Sequence, residues 1–342
     1  MALPVLFSQS APVSAAPMAG GASSSGLVIA AGDAGHFAQL AAGYKTPDAM
    51  RTEIGEVRAA GSTLFGINLF VPNTHPVSDE AYQRYWNQIA SDALAHGHQG
   101  PMPVKQEDDD GWFQKVELLL SDPVPAVSFT FGLPSPEVFE RFRSAGTVTL
   151  QTVTTPDEAR RAEAAGADVL VVQGWGAGGH SGIWDPNRLP EKVPLTRLLL
   201  RVRDAASLPM VAAGGITRRE HVYEALDAGA DAVAVGTALL RSQESGAAPA
   251  YKDALVDPQF DQTLLTRAFT GRPARALVNR FVAGHDDAAP VGYPAVHHLT
   301  RSLRSAATAS GDTSAMNLWA GVNWRDARDA PVATILHDLT PV

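Results

Sequence analysis

The residues best suited to chemistry fall in one short stretch, Gly174-Trp175-Gly176-Ala177-Gly178-Gly179-His180-Ser181-Gly182. Five of the eight neighbours of His180 there are glycine. That backbone is pliable and can lie flat against a planar ligand. An imidazole in it can act as a general base or hydrogen-bond an anionic substrate near neutral pH. Two further points are Ala213-Gly214-Gly215-Ile216 and Gly236-Thr237. Glycine there lets backbone N–H groups approach a phosphate that a Cβ would block, and Thr237 adds a hydroxyl donor. The plainer reading of Gly214-Gly215 is a tight turn. Asn68 and Gln173 are amides, each a donor and an acceptor. They suit either a ligand edge or a structural bond to a neighbouring strand end.

These points sit in a repeating pattern. Short continuous apolar runs alternate with amphipathic stretches, as strands buried on both faces require. The runs predict strands over 12–18, 38–42, 64–70, 124–131, 147–153, 169–172, 209–213 and 232–235. Helices between them are opened by caps such as Thr46-Pro47-Asp48, Ser78-Asp79-Glu80, Ser135-Pro136-Glu137 and Thr155-Pro156-Asp157-Glu158. One joint occurs twice, Ala165-Gly166-Ala167-Asp168 and Ala228-Gly229-Ala230-Asp231. In each, a left-handed glycine ends a helix before a buried strand. Eight such alternations predict a closed (β/α)8 TIM barrel, an α/β fold, over residues 1–246.

Chemistry in such barrels gathers at the carboxyl ends of the strands. Met18, Ala19 and Gly20 lie at the end of the first strand and Asn68 lies in the third. Gln173 ends the sixth, ahead of Gly178, Gly179 and His180. Gly214 and Gly215 follow the seventh, and Ala234, Val235, Gly236 and Thr237 end the eighth. The last two strand ends are where barrels often hold a phosphate.

After Gly246 the alternation stops. Residues 261–269 read as helix, 284–294 as loop, 297–309 as helix, 306–314 as a polar linker and 327–339 as a final helix. This predicts a helical cap over 247–310, near the active face, and a closing helix within 311–342 packed back on the barrel. Residues 96–111, with His96, His98 and the run Asp108-Asp109-Asp110, read as an exposed excursion ending in a solvated turn.

Composition removes several alternatives. The 342 residues carry 27 basic and 36 acidic side chains, net −9, which disfavours nucleic acid as a partner. The absence of cysteine excludes disulfides, a thiol nucleophile and Cys-ligated metal. No metal site is expected. No H-E-x-x-H, Walker loop, G-x-G-x-x-G in strand–helix context or nucleophile elbow occurs, against a zinc hydrolase, a kinase or a Rossmann dehydrogenase. No run reaches the roughly 18 apolar residues of a membrane span. No Lys or Arg precedes Lys45, so a signal peptide's basic n-region is missing. A cytoplasmic protein is expected.

Together these segments resemble the FMN-dependent nitronate monooxygenase (2-nitropropane dioxygenase) family. The matching pieces are Pro17-Met18-Ala19-Gly20, Phe65 to Phe70, Ser128 to Gly132, Gln173 to Gly182, Ala212 to Ile216 and Gly236-Thr237. Phe269 to Arg275 and Asn317 to Gly321 also match. The resemblance implies a barrel holding FMN beneath a helical second domain. It places flavin binding on Asn68, Gln173, Gly178, Gly215 and Ala234 to Thr237, and the catalytic role on His180. It implies oxidation of nitronates, and of nitroalkanes once His180 removes the α-proton, by dioxygen. One departure stands out: Gly176, beside Trp175, occupies a place where many members carry an acid, which bears on substrate specificity. The alternative is an FMN-dependent NAD(P)H reductase of the same superfamily, acting on an enoyl thioester or a quinone.

Overall fold

The computed structural model describes residues 4–72 and 75–342. Eight parallel strands close into a barrel: β1 (Ala11–Ala15), β2 (His36–Ala41), β3 (Phe65–Phe70), β4 (Ala126–Thr130), β5 (Val148–Val153), β6 (Val169–Gln173), β8 (Met210–Ala213) and β9 (Ala232–Val235). Each pairs with the next, and β9 returns to β1 with Val13 opposite Val233. β2 and β3 are buried along their whole length and are apolar apart from His36, Gln39 and Asn68.

Local sequence forms the helices as expected. Thr46 caps Pro47–Ala59, its hydroxyl accepting from the Ala49 N–H, and that helix buries Met50, Ile54 and Val57. Thr155 caps Pro156–Ala165, which ends at Gly166 with φ 100°. Gly229 repeats that conformation at φ 94°. A large apolar cluster fills the space between strands and helices. A small one, with Phe7 on Phe37 at 4.8 Å, plugs the barrel interior.

The cap differs from expectation in three ways. Residues 261–269 do not form a helix. β10 (Thr263–Thr266) and β11 (Ala274–Leu277) make an antiparallel hairpin, and β11 also pairs with β7 (Gly179–His180). Second, the helix Ala295–Ser310 runs into the stretch expected as a linker, and another, Arg280–His285, enters the expected loop. Third, the cap's apolar cluster takes Val77, Tyr82, Tyr85 and Ile89 from the first half of the chain. The closing helix forms over Val332–Leu339.

The 96–111 excursion is not free either. His96 is buried against Asp312 at 3.0 Å, and His98 lies edge-on to Trp86. The Val77 N–H donates to Glu107. Asp110 is mostly buried and pairs with Lys115 at 2.7 Å. A tertiary charge partner, invisible in the acidic run itself, draws it inward. Among the described residues no helix is long and apolar enough to cross a membrane, and no group of three or more acidic or histidine side chains could hold a metal.

Candidate active site

A cavity of about 550 Å³ opens at the carboxyl ends of the barrel strands, between barrel and cap. Met18, Ala19, Gly20, Asn68, Gln173, Gly178, Gly179, His180, Gly214, Gly215, Ala234, Gly236 and Thr237 all line it. Val235 does not. Strand alternation turns its side chain outward into the core beneath the helices.

Tertiary contacts redefine several of these residues. His180 does not ride on a pliable loop, because β7 pins it to β11, with His180 opposite Ala274. Gln173 completes the brace: its Nε2 donates to the His180 carbonyl at 3.2 Å and its Oε1 accepts from the Gly182 N–H at 2.6 Å. The amide is thus engaged by the loop at both ends. Asn68, buried on β3, donates from Nδ2 to Ser128 Oγ at 2.8 Å and Thr130 Oγ1 at 3.0 Å. With those hydrogens used, only its oxygen is left for a ligand.

The His180 ring lies among Phe131, Tyr293 and Trp319, with centroids at 5.5, 6.1 and 5.3 Å. Its Nε2 meets Thr270 Oγ1 at 2.9 Å. Burial, then the charges of Arg272 and Arg304, push its pKa down to about 3, so the imidazole is neutral. His297 is pushed down in the same way, by burial first and then by Arg304. Arg304 donates to His297 Nδ1 and to its carbonyl oxygen. Arg272 is 1% exposed, stacks on Phe131 at 4.1 Å and donates to the carbonyls of Phe131 and Ile183. Neither arginine makes an ion pair with a carboxylate among the described residues. The result is an aromatic-walled pocket with Arg304 on its wall, facing a neutral imidazole.

The composition of Arg272, Tyr44, Phe131, Tyr293, His297, Arg304 and Trp319 does not announce this role. Two non-glycine residues in the pocket, Tyr44 (φ 69°) and Phe131 (φ 81°), hold left-handed backbone, a strain that concentrates at working sites. Trp175, by contrast, does not line the cavity. It is held between Arg275 and Lys192, and Arg275 donates to its carbonyl. Gly176 serves close packing, since a Cβ there would stand 3.0 Å from Val322. The departure at 175–176 therefore lies behind the pocket wall.

The other side of the cavity is a backbone cradle. Gly214 (φ 112°) and Gly215 (φ 77°) form the turn after β8, and Thr237 opens a short 3-10 turn after β9. A Cβ at Gly178 would come within 2.5 Å of Gly321 N and 2.8 Å of Thr237 Oγ1. Deeper in, Gln39 of β2 lines the cavity, 4% exposed, and its Oε1 has no protein partner. A buried acceptor of that kind calls for a ligand donor.

The nitronate monooxygenase family model matches residues 5–341 of this chain. The chain belongs to the nitronate monooxygenase family. A probable nitronate monooxygenase of Bacillus subtilis is 34% identical over 97% of this chain and 96% of its own. One from Staphylococcus aureus is 33% identical over 96% and 93%. Among solved structures, a nitroalkane oxidase from Streptomyces ansochromogenes is 46% identical, with TM-score 0.92 over 98% of this chain and 96% of that one. FabK from Thermotoga maritima is similar at 25% identity and TM-score 0.75, over 98% and 93%. A flavin cofactor goes with membership of this family. The cavity fits one: the glycine turns after β8 and β9 line it, and the buried Gln39 oxygen lacks a donor among the described residues.

Proposed function

We propose that this protein is an FMN-dependent nitronate monooxygenase. It oxidises alkyl nitronates, and nitroalkanes after deprotonation, with dioxygen to carbonyl compounds and oxidised nitrogen. The observation that carries the reading is His180 sharing the cavity wall with Arg304, a guanidinium without a carboxylate partner among the described residues.

The glycine turns at Gly214-Gly215 and Gly236-Thr237 would take the cofactor phosphate on backbone N–H groups. The Asn68 and Gln39 oxygens would meet its polar edge. The bound flavin supplies an electron acceptor whose reduced form reacts with dioxygen. The chain itself does the rest. Arg304 draws in and orients the anionic nitro group, and Arg272, buried behind Phe131, adds positive potential. Phe131, Tyr293 and Trp319 exclude water, which strengthens that attraction. The reaction requires the tautomer in which the Thr270 hydroxyl donates to the Arg272 carbonyl at 3.3 Å and His180 Nε2 donates to Thr270 Oγ1 at 2.9 Å, which leaves Nδ1 as the basic nitrogen. A neutral nitroalkane loses its α-proton to Nδ1, and the negative charge then formed on the substrate offsets the arginines and raises the imidazole's proton affinity. A nitronate arrives without that proton.

His180→Asn is therefore expected to lower kcat/KM for a neutral nitroalkane by about 100-fold or more, and for its nitronate by less than about tenfold. Equal losses would refute the base. The reaction class is tested by anaerobic spectra of the yellow protein: nitronate should bleach it and NADH or NADPH should not. Rapid bleaching by a nicotinamide would make it a reductase.

A further inference from the structure

The run Asp108-Asp109-Asp110 lies outside the cavity, yet it is tied to the cavity wall. The Tyr44 N–H donates to Asp110 Oδ1 at 2.9 Å. Asp110 Oδ2 pairs with Lys115 Nζ at 2.7 Å, and Lys115, 1% exposed, donates to the Ala42 carbonyl at 3.0 Å. The pair therefore grips the chain on both sides of Gly43, where a Cβ would overlap the Phe70 ring. So held, Tyr44 keeps φ 69°, and its ring lies flat on His297, centroids 4.1 Å apart and planes 4° apart. From the other side, Asp108 pairs at 2.7 Å with His298, the next residue along. One acidic run thus fixes both halves of a ring stack, and Arg304 is hydrogen-bonded to the His297 half. A buried ion pair is a poor source of stability, and a left-handed tyrosine is a strained one. Both make sense if geometry at the pocket is what they secure.

We propose that the Asp110–Lys115 pair is a positioning device for the substrate wall. It holds Tyr44 in left-handed backbone, so that the Tyr44–His297 stack orients Arg304 toward the nitro group. This rests on the functional reading above.

The test compares two double variants of the holoenzyme. Asp110→Ala with Lys115→Met removes both charges and the acceptor for the Tyr44 N–H. Asp110→Asn with Lys115→Met removes the charges but keeps that acceptor, and Asn tolerates the left-handed backbone of position 110, φ 57°. Expected for the first is a rise of about tenfold in KM for propane-2-nitronate, with kcat changed less than about twofold and the flavin retained. The second should restore KM to near the parent value. Tyr44→Gly, which takes up φ 69° without strain and leaves the ion pair alone, should reproduce the KM rise even if the first variant folds poorly. The dissociation constant of nitrate, read from the flavin band, repeats the comparison without turnover. Parent-like KM and nitrate affinity in Tyr44→Gly, or equal defects in both double variants, would overturn the positioning role. A parent that binds nitrate but is not reduced by nitronate would overturn the reaction alone, and nitrate affinity would then decide the positioning. A parent that binds neither would overturn both.

Discussion

At the scale of single residues, the site works by desolvation. Burial first, then Arg272 and Arg304, lowers the pKa of His180, and burial first, then Arg304, lowers that of His297. The sign of the resulting pH dependence follows directly. A free imidazole takes a proton near pH 6.5, whereas folded His180 takes one only near 3. The base therefore stays competent across the range where an ordinary histidine would charge. kcat/KM for a nitroalkane is expected to stay flat from about pH 7.5 down to about 5, with no acid limb near 6.5. A limb centred near 6.5 in a pH profile would show that His180 titrates normally. The same shift acts on stability. The unfolded chain binds this proton first, so folding loses stability as pH falls from 6.5 toward 3, and loses none from this group above 6.5.

At the scale of elements, two short pieces decide the geometry. The two residues of β7 anchor the His180 loop to a hairpin about a hundred positions away, and Gly178 packs that loop on Gly321 and Thr237. Gly178→Ala has no room for its methyl group against backbone. It is expected to cost about 1–3 kcal/mol, as overpacking does, and to release flavin. The ratio of visible to ultraviolet absorbance after gel filtration, with a denaturant midpoint, measures both. Unchanged flavin content would mean that the loop can shift aside.

At the scale of the whole molecule, barrel and cap are separate apolar clusters that meet around the cavity, and the cap is assembled from both halves of the chain. Asp92 of the helix Asp79–Ala95 fastens the two halves of the cap, pairing with Arg280 at 2.5 Å and His285 at 2.7 Å. Burial alone would raise its pKa, but the hydrogen bonds and charges of those two partners outweigh it and hold the carboxyl below its usual range. The clamp's contribution is present at neutral pH and is lost as pH falls through that lowered value. Asp92→Ala is expected to lower the unfolding free energy by about 1–3 kcal/mol. Hydrogen exchange should rise in Arg280–His285 and not in the barrel strands. Uniform protection loss would show a single cooperative unit instead.

Most of the barrel is legible in the chain itself. Burial on both faces, helix caps and left-handed glycines are local signals, so the eight strands, the helix starts and the glycine cradle can be read residue by residue. So can the position of His180 at a strand end. What local patterns cannot carry is pairing between distant segments. Thr263 to Thr266 is strand only because Ala274 to Leu277 lies beside it, and His180 is rigid only because β11 holds it. Asp110 reads as a solvated acid until Lys115 and Tyr44 are seen to enclose it. Arg272 and Arg304 read as surface arginines, and the burial of one and half-burial of the other, without a carboxylate partner among the described residues, are properties of the folded cap. The sequence by itself determined the scaffold and the floor of the site. The tertiary structure decided the charge state of the histidines and the substrate wall, because desolvation and cross-chain contact exist only once distant residues are brought together.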